Sequence, residues 1–179
     1  HQPWQSDSWF VSPWNFLPEV MEGWQFQEKI KIHDVTLRDG EQQAGIVFNK
    51  EDKIRIASLL DEAGVHRIEA GMPAVSPSDA DAIKTIAKMG LNADILAFSR
   101  CMVEDVKMAV DCGVKGIITE VPASEHAIQK NYRWPLERAI ETTIKATSYA
   151  HEQGLYTVFF PIDASRADMT WYLNLIERI

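Results

Sequence analysis

The sequence predicts an α/β protein built on a parallel sheet. Three observations lead there: strand-like apolar runs alternate with helix-like periodic stretches, no hairpin signal joins consecutive strands, and polar residues recur just after the strands. Strand–helix alternation without hairpins implies parallel strands joined by right-handed crossovers. Two architectures satisfy this pattern. An open doubly wound sheet would be complete at 179 residues, whereas a (β/α)8 barrel needs about 250.

Residues 1–29 stand apart from the alternation. Trp4, Trp9, Trp14 and Trp24 lie among Pro3, Pro13 and Pro18, an aromatic density unlike a disordered tail. The segment reads as an irregular arm docked on an apolar surface of this domain or of a neighbouring subunit. A stacking platform for bases or sugars would need basic residues among the aromatics, and the sole Lys or Arg of the arm is Lys29 at its end.

The first strand is expected over 30–36, where Ile30-Lys-Ile-His-Asp-Val35 alternates. A helix follows from about Lys50 to Ala63, with Asn49 as N-cap, Gly64 as stop, and Ile54, Ala57 and Leu60 inward beside Leu59 and Ala63. Val65–Ala70 forms the second strand, ended by Gly71-Met-Pro73, and Ser78–Met89 a helix with Ala82, Ile83 and Ile86 inward. Ala93–Phe98 is the third strand, Val103–Cys112 a helix closed by Gly113, and Gly116–Val121 the fourth strand. After a longer connection, Pro122–Trp134, come a helix over 135–153, a fifth strand at Leu155–Phe160 and a final helix over 167–179.

Arg38 and Asp39, Glu69, Ser99 and Arg100, Glu120 and Asp163 all fall at C-terminal strand ends, which fits the catalytic face of a barrel. No G-x-G-x-x-G follows the first strand, so dinucleotide binding has no support. The composition is that of a globular domain, 46% hydrophobic and 25% charged. A net charge of −8 without a Lys/Arg cluster argues against nucleic acid or an anionic membrane as partner. There is no apolar run of membrane-spanning length and no signal-peptide pattern, and Cys101 and Cys112 are too few for a disulfide framework. A cytoplasmic setting is expected, with both cysteines as buried small hydrophobes.

The stretch Asp34-Val-Thr-Leu-Arg-Asp-Gly-Glu-Gln42 carries the most chemistry. Asp39 offers hard oxygens to a divalent cation and Arg38 a rigid fork to a carboxylate or oxyanion, while Gly40 is read as the residue that lets the strand turn. A surface salt-bridged turn is the plainer alternative.

D-x-T-L-R-D-G-E-Q resembles the first-strand signature of the metal-dependent acyl-CoA condensing enzymes and lyases, the HMGL-like family, in its 2-isopropylmalate and homocitrate synthase branch. The resemblance runs from about Ile30 to Ile179. It implies a (β/α)8 barrel, of which five units make about five-eighths. It also implies an acyltransferase that adds acetyl-CoA to a 2-oxo acid, and a homodimer when full-length. By residue match Asp39 is a metal ligand for Mg, Mn or Zn, Arg38 stabilises the reacting carbonyl oxygen, and Glu69 pairs with Arg38. Gln42 and Arg100 match positions near the substrate.

Met72-Pro73-Ala74-Val75-Ser76-Pro77 resembles the family's G-F-P-x-x-S-P loop, although Ser76 also suits a helix cap. Pro122-Ala-Ser-Glu-His126 resembles the T-S-x-x-H loop one residue short, leaving His126 a weak match. Arg100-Cys101-Met102 replaces the R-C-H of homocitrate synthases, and Ile162 stands where E-D-A begins in the synthases. The T-L-R-D-G-E-Q wording favours a synthase over a C–C lyase of the hydroxymethylglutaryl-CoA type. The family's second pair of ligands, an H-x-H on strand 7, has no counterpart, because His1, His33, His66, His126 and His151 are all isolated. A chain truncated before those strands is the expectation, and a non-catalytic half-barrel the alternative.

Overall fold

A computed structural model describes residues 2–179. The chain divides into two compact units, His1–Ile30 and Lys31–Ile179. In the first, a bridge joins Gln5 to Phe10, and short helical turns occupy Pro13–Phe16 and Pro18–Met21. Its aromatics pair among themselves: the Trp4 and Phe16 rings lie 6.0 Å apart, and Trp24 meets Phe26 edge-on at 5.4 Å.

The second unit holds five parallel strands in sequential order: β1 (His33–Asp34), β2 (Arg67–Glu69), β3 (Asp94–Arg100), β4 (Gly116–Pro122) and β5 (Tyr156–Ile162). A doubly wound sheet reverses its strand order partway, and this one never does. The strands form a curled half-barrel, so the barrel reading holds. Helices α1 (Lys50–Glu62), α2 (Pro77–Ala87), α3 (Val103–Cys112), α4 (Leu136–Glu152) and α5 (Met169–Arg178) follow the strands in turn. Among the described residues no helix is long and apolar enough to cross a membrane.

Period-two alternation assigns each strand residue to a face. Ile68, Ile95, Ala97, Ile117 and Val121 point to the helices and join Ala57, Ile83, Ile86, Val106, Ala109 and Ala146 in the main core. Leu96, Phe98 and Ile118 point to the barrel interior, where Met72 and Val158 pack on them. Both cysteines are buried and free, and burial pushes the Cys101 thiol up to about 11.

Three local readings need correction. The first strand is only two residues long, not 30–36. Asp34 ends it, because Asp34 Oδ1 accepts from the Thr36 amide at 2.9 Å and Oδ2 from the Thr36 hydroxyl at 3.0 Å. Such local side-chain bonds compete with a ladder. The turn then closes on Val35 O, which accepts from the amides of Arg38, Asp39 and Gly40 at 3.1, 2.8 and 3.2 Å. Gly40 is therefore not what permits the turn: it lacks a positive φ, and a Cβ there would meet only Thr36 Cγ2 at an ordinary 3.7 Å.

In α1 Asn49 is the N-cap, as expected, and Asp52 completes a capping box with it, but Leu59 is exposed. Ala57, Ile54 and Leu60 face the core as expected, and Lys53 is buried beside them. The longer connection 122–134 contains a π-helical turn at Ala127–Asn131.

Candidate functional site

The site lies where β1 and β2 end. Glu69, the last residue of β2, is 4% exposed. Its two oxygens are both committed: Arg38 Nε donates to Oε2 at 2.7 Å, and His33 Nε2 lies 3.0 Å from Oε1, where an imidazole N–H donates. Arg38 Nη1 also donates to Asp39 Oδ1 at 3.0 Å, and the guanidinium carbon sits 4.4 Å from the centre of the Phe98 ring. The fork is thus fixed by a carboxylate at one edge and an aromatic ring under its face. Among the described residues nothing accepts from Nη2, which leaves donors for an incoming oxygen.

Gly71 helps bring the two strand ends together. It adopts φ +136°, and a Cβ there would come within 3.3 Å of Ile83 Cδ1 and 3.8 Å of Leu37 O, the residue before Arg38. A side chain would strain the backbone and crowd the packing of α2 beneath the loop.

The loop after Asp39 is held from below by a buried lysine. Lys53, 2% exposed, donates to Glu41 Oε2 at 2.7 Å and Asp79 Oδ1 at 2.5 Å. Burial opposes its charge, but the hydrogen bonds to Asp79 and Glu41 outweigh that and hold its pKa above the ordinary value. Glu41 Oε1 further accepts from the Phe48 amide at 3.1 Å. Ser76 is an N-cap: its Oγ accepts from the Asp79 amide at 3.1 Å and donates to Asp79 Oδ2 at 2.6 Å. Lys53 therefore ties the signature loop to the start of α2.

Asp39 is largely exposed, its side chain 60% accessible. Gln42 shares a cleft of about 220 Å3 with Arg38, Glu41, Met72, Val75 and Asp79. Arg100 stands at the end of β3 but is drawn aside, donating through Nε and Nη2 to the two oxygens of buried Asp105 at 2.8 and 2.9 Å. His126 is exposed in the loop after β4. Ser124, buried in that loop, donates to Asp163 Oδ2, and Arg166 Nε donates to Oδ1 at 2.5 Å. These bonds, Ser124 first, hold the Asp163 carboxyl below the usual carboxylate range and tie the ends of β4 and β5 together.

Of the residues singled out from the sequence, the structure brings Arg38 against both Asp39 and Glu69; His33, Phe98, Lys53 and Asp105, which hold these residues and their neighbours, were not singled out. His33 and Phe98 were legible only as residues within expected strands. A lysine on the apolar stripe of α1 was the one available hint of Lys53.

The HMGL-like family matches residues 29–179. The chain belongs to that family. Among curated HMGL-like relatives, it is 40% identical to homocitrate synthase AksA of Methanothermobacter thermautotrophicus, over 95% of this chain and 42% of the relative. It is 38% identical to 2-isopropylmalate synthase 2 of Caldanaerobacter subterraneus, over 81% of this chain and 38% of that one. The chain thus spans about two-fifths of the length of the curated relatives it matches. Among solved structures, the Bacillus subtilis HMG-CoA lyase superposes with a TM-score of 0.69 at 21% identity, covering 86% of this chain and 55% of that one. At that identity the likeness speaks for the fold alone.

Members of this family depend on a divalent metal ion. Such an ion takes about six oxygen or nitrogen ligands. Among the described residues no three His, Cys, Asp or Glu side chains come together to hold one. Asp39, exposed and with only Oδ1 bonded, fits as one contributor to a larger ligand set, not as a complete site.

Proposed function

We propose that the protein, taken whole, is an acyltransferase that condenses acetyl-CoA with a 2-oxo acid and releases CoA by thioester hydrolysis. Kinship with homocitrate and 2-isopropylmalate synthases supports the reaction class. The observation that carries the reading is Arg38, whose fork is immobilised by Glu69 and Phe98 while Nη2 has no acceptor among the described residues. A planar donor fixed before the substrate arrives suits an oxyanion that develops during reaction, because no reorganisation is then required.

In this reading Arg38 donates to the ketone oxygen as it becomes an alkoxide, and Glu69 holds Arg38 in place. His33 in turn holds Glu69. Gln42 and Arg100 receive the carboxylate of the 2-oxo acid, Arg100 through the Nη1 donor that Asp105 leaves uncommitted. Asp39 contributes one ligand to a divalent ion, Mg, Mn or Zn, which when bound supplies Lewis acidity and a template for the two adjacent oxygens of a 2-oxo acid.

The test is release of CoA thiol from acetyl-CoA by the purified whole protein. It is offered 2-oxo acids whose side chains run from methyl through branched alkyl to carboxylate-bearing. Thiol release that requires one of these acids and stops on chelation supports the proposal. Thiol release indifferent to every acid defeats it.

A further inference from the structure

Carbon–carbon bond formation from acetyl-CoA needs a base for the methyl proton, and the carboxylates near Arg38 are spoken for. Glu69 uses both oxygens on Arg38 and His33, Glu41 on Lys53 and the Phe48 amide, and Asp79 on Lys53 and Ser76. Asp105 is taken by Arg100, and Asp163 by Ser124 and Arg166. Asp39 has one oxygen left, which the proposed ion claims.

Glu120 differs from all of these. It stands on β4 two residues after Ile118, whose side chain packs on Phe98 in the barrel interior, so Glu120 shares that inner face. The parallel register places it between Arg100 on β3 and Phe160 on β5, at the C-terminal mouth. Arg100, its nearest candidate partner in register, is held instead by Asp105. Among the described residues Glu120 has no ion pair and no side-chain hydrogen bond. On the other side Phe160 and Ile162 leave the inner face of β5 without an acid at this height.

We propose that Glu120 is the general base that takes the methyl proton of acetyl-CoA. This rests on the reading that the protein condenses acetyl-CoA with a 2-oxo acid. A carboxylate oxygen of Glu120 removes one methyl proton, the C–H pair becomes the carbon nucleophile, and the new C–C bond forms at the ketone carbon. The ketone π pair moves to oxygen beside Arg38, the alkoxide takes up a proton and Glu120 gives its proton to solvent, and water then hydrolyses the thioester to release CoA as its thiol. Burial raises the Glu120 carboxyl above its ordinary value, with the Arg38 charge opposing that in part, which makes the carboxylate a stronger base than a solvated one.

The experiment compares Glu120→Gln and Glu120→Asp with wild type in the metal-loaded whole protein, using acetyl-CoA and its methyl-deuterated form. Glu120→Gln should lower kcat by about 100-fold or more, the typical worth of a positioned base, with KM for the 2-oxo acid nearly unchanged. Glu120→Asp should retain partial turnover with a larger deuterium isotope effect, because the shortened base makes proton transfer slower. Turnover of Glu120→Gln near wild type, or a loss confined to KM, overturns the assignment. If Glu120→Gln fails to fold, Glu120→Asp decides alone, and an unchanged kcat and isotope effect there overturns it. Absence of condensation by wild type with every 2-oxo acid defeats the parent reading, and this one with it.

Discussion

Arg38 is constrained at three points before any ligand arrives: Nε on Glu69, Nη1 on Asp39, and its face on Phe98. Lysine has no fork and cannot reproduce that geometry. Arg38→Lys should therefore cut kcat by about 100- to 1000-fold, the usual cost of losing one oxyanion donor, while bound metal measured by elemental analysis stays at wild-type level. Asp39→Ala should do the opposite to the metal, weakening its retention while abolishing turnover. Wild-type turnover in Arg38→Lys removes the role given to Arg38. At this scale the sequence showed the residues whose chemistry is written in one short segment, Arg38 and Asp39, and Glu69 through the family likeness. It did not show His33, because a histidine on a short strand reads as any other polar residue until the register with β2 sets it beside Glu69. Phe98 was expected only as part of a strand; its contact with Arg38 depends on the curl that brings β3 near the first loop.

Among the elements, the join between the signature loop, α1 and α2 depends on Lys53. Its removal leaves Glu41 and Asp79 without their cation. Lys53→Met should cost about 3 kcal/mol, the low end for breaking a buried pair because both carboxylates still reach water. Chemical unfolding of the protein measures this, and a loss below about 1 kcal/mol, the level of an exposed pair, would mean the pair behaves as surface charge. The pH dependence follows from the same group. Burial opposes ionisation of Asp79, but the hydrogen bonds from Lys53 and Ser76 prevail and lower its pKa from the ordinary 3.8. Its contribution to stability should be fully present above that value and lost as pH falls through the depressed one. Lys53, raised above 10.5, should contribute below that pH and lose its share as pH rises through the higher value. Helices were read well because caps and spacing are local signals, as at Asn49. β1 was overread because the Asp34–Thr36 bonds, not hydrophobicity, decide where its ladder stops.

For the whole molecule, alternation of elements sufficed to predict parallel βα units, and sequential strand order decided between the two architectures they allow. The order itself was not legible in the composition, because both architectures use the same buried strands. β1 and β5 are the two edges of the sheet, and Tyr156, Phe160 and Ile162 on the inner side of β5 are 52%, 41% and 42% exposed. Open edges beside apolar surface favour pairing with another chain. Residues 31–179 produced alone should accordingly self-associate in light scattering and melt broadly; a sharply melting monomer would contradict this. A crystal structure of the whole, metal-loaded protein with a 2-oxo acid bound tests the role of Arg38 outright. The acid should lie at the C-terminal mouth with its ketone oxygen about 2.7–3.1 Å from an Arg38 nitrogen, while Glu69 still holds Nε. An acid bound elsewhere, or at the mouth with Arg38 turned away from the ketone, would contradict it.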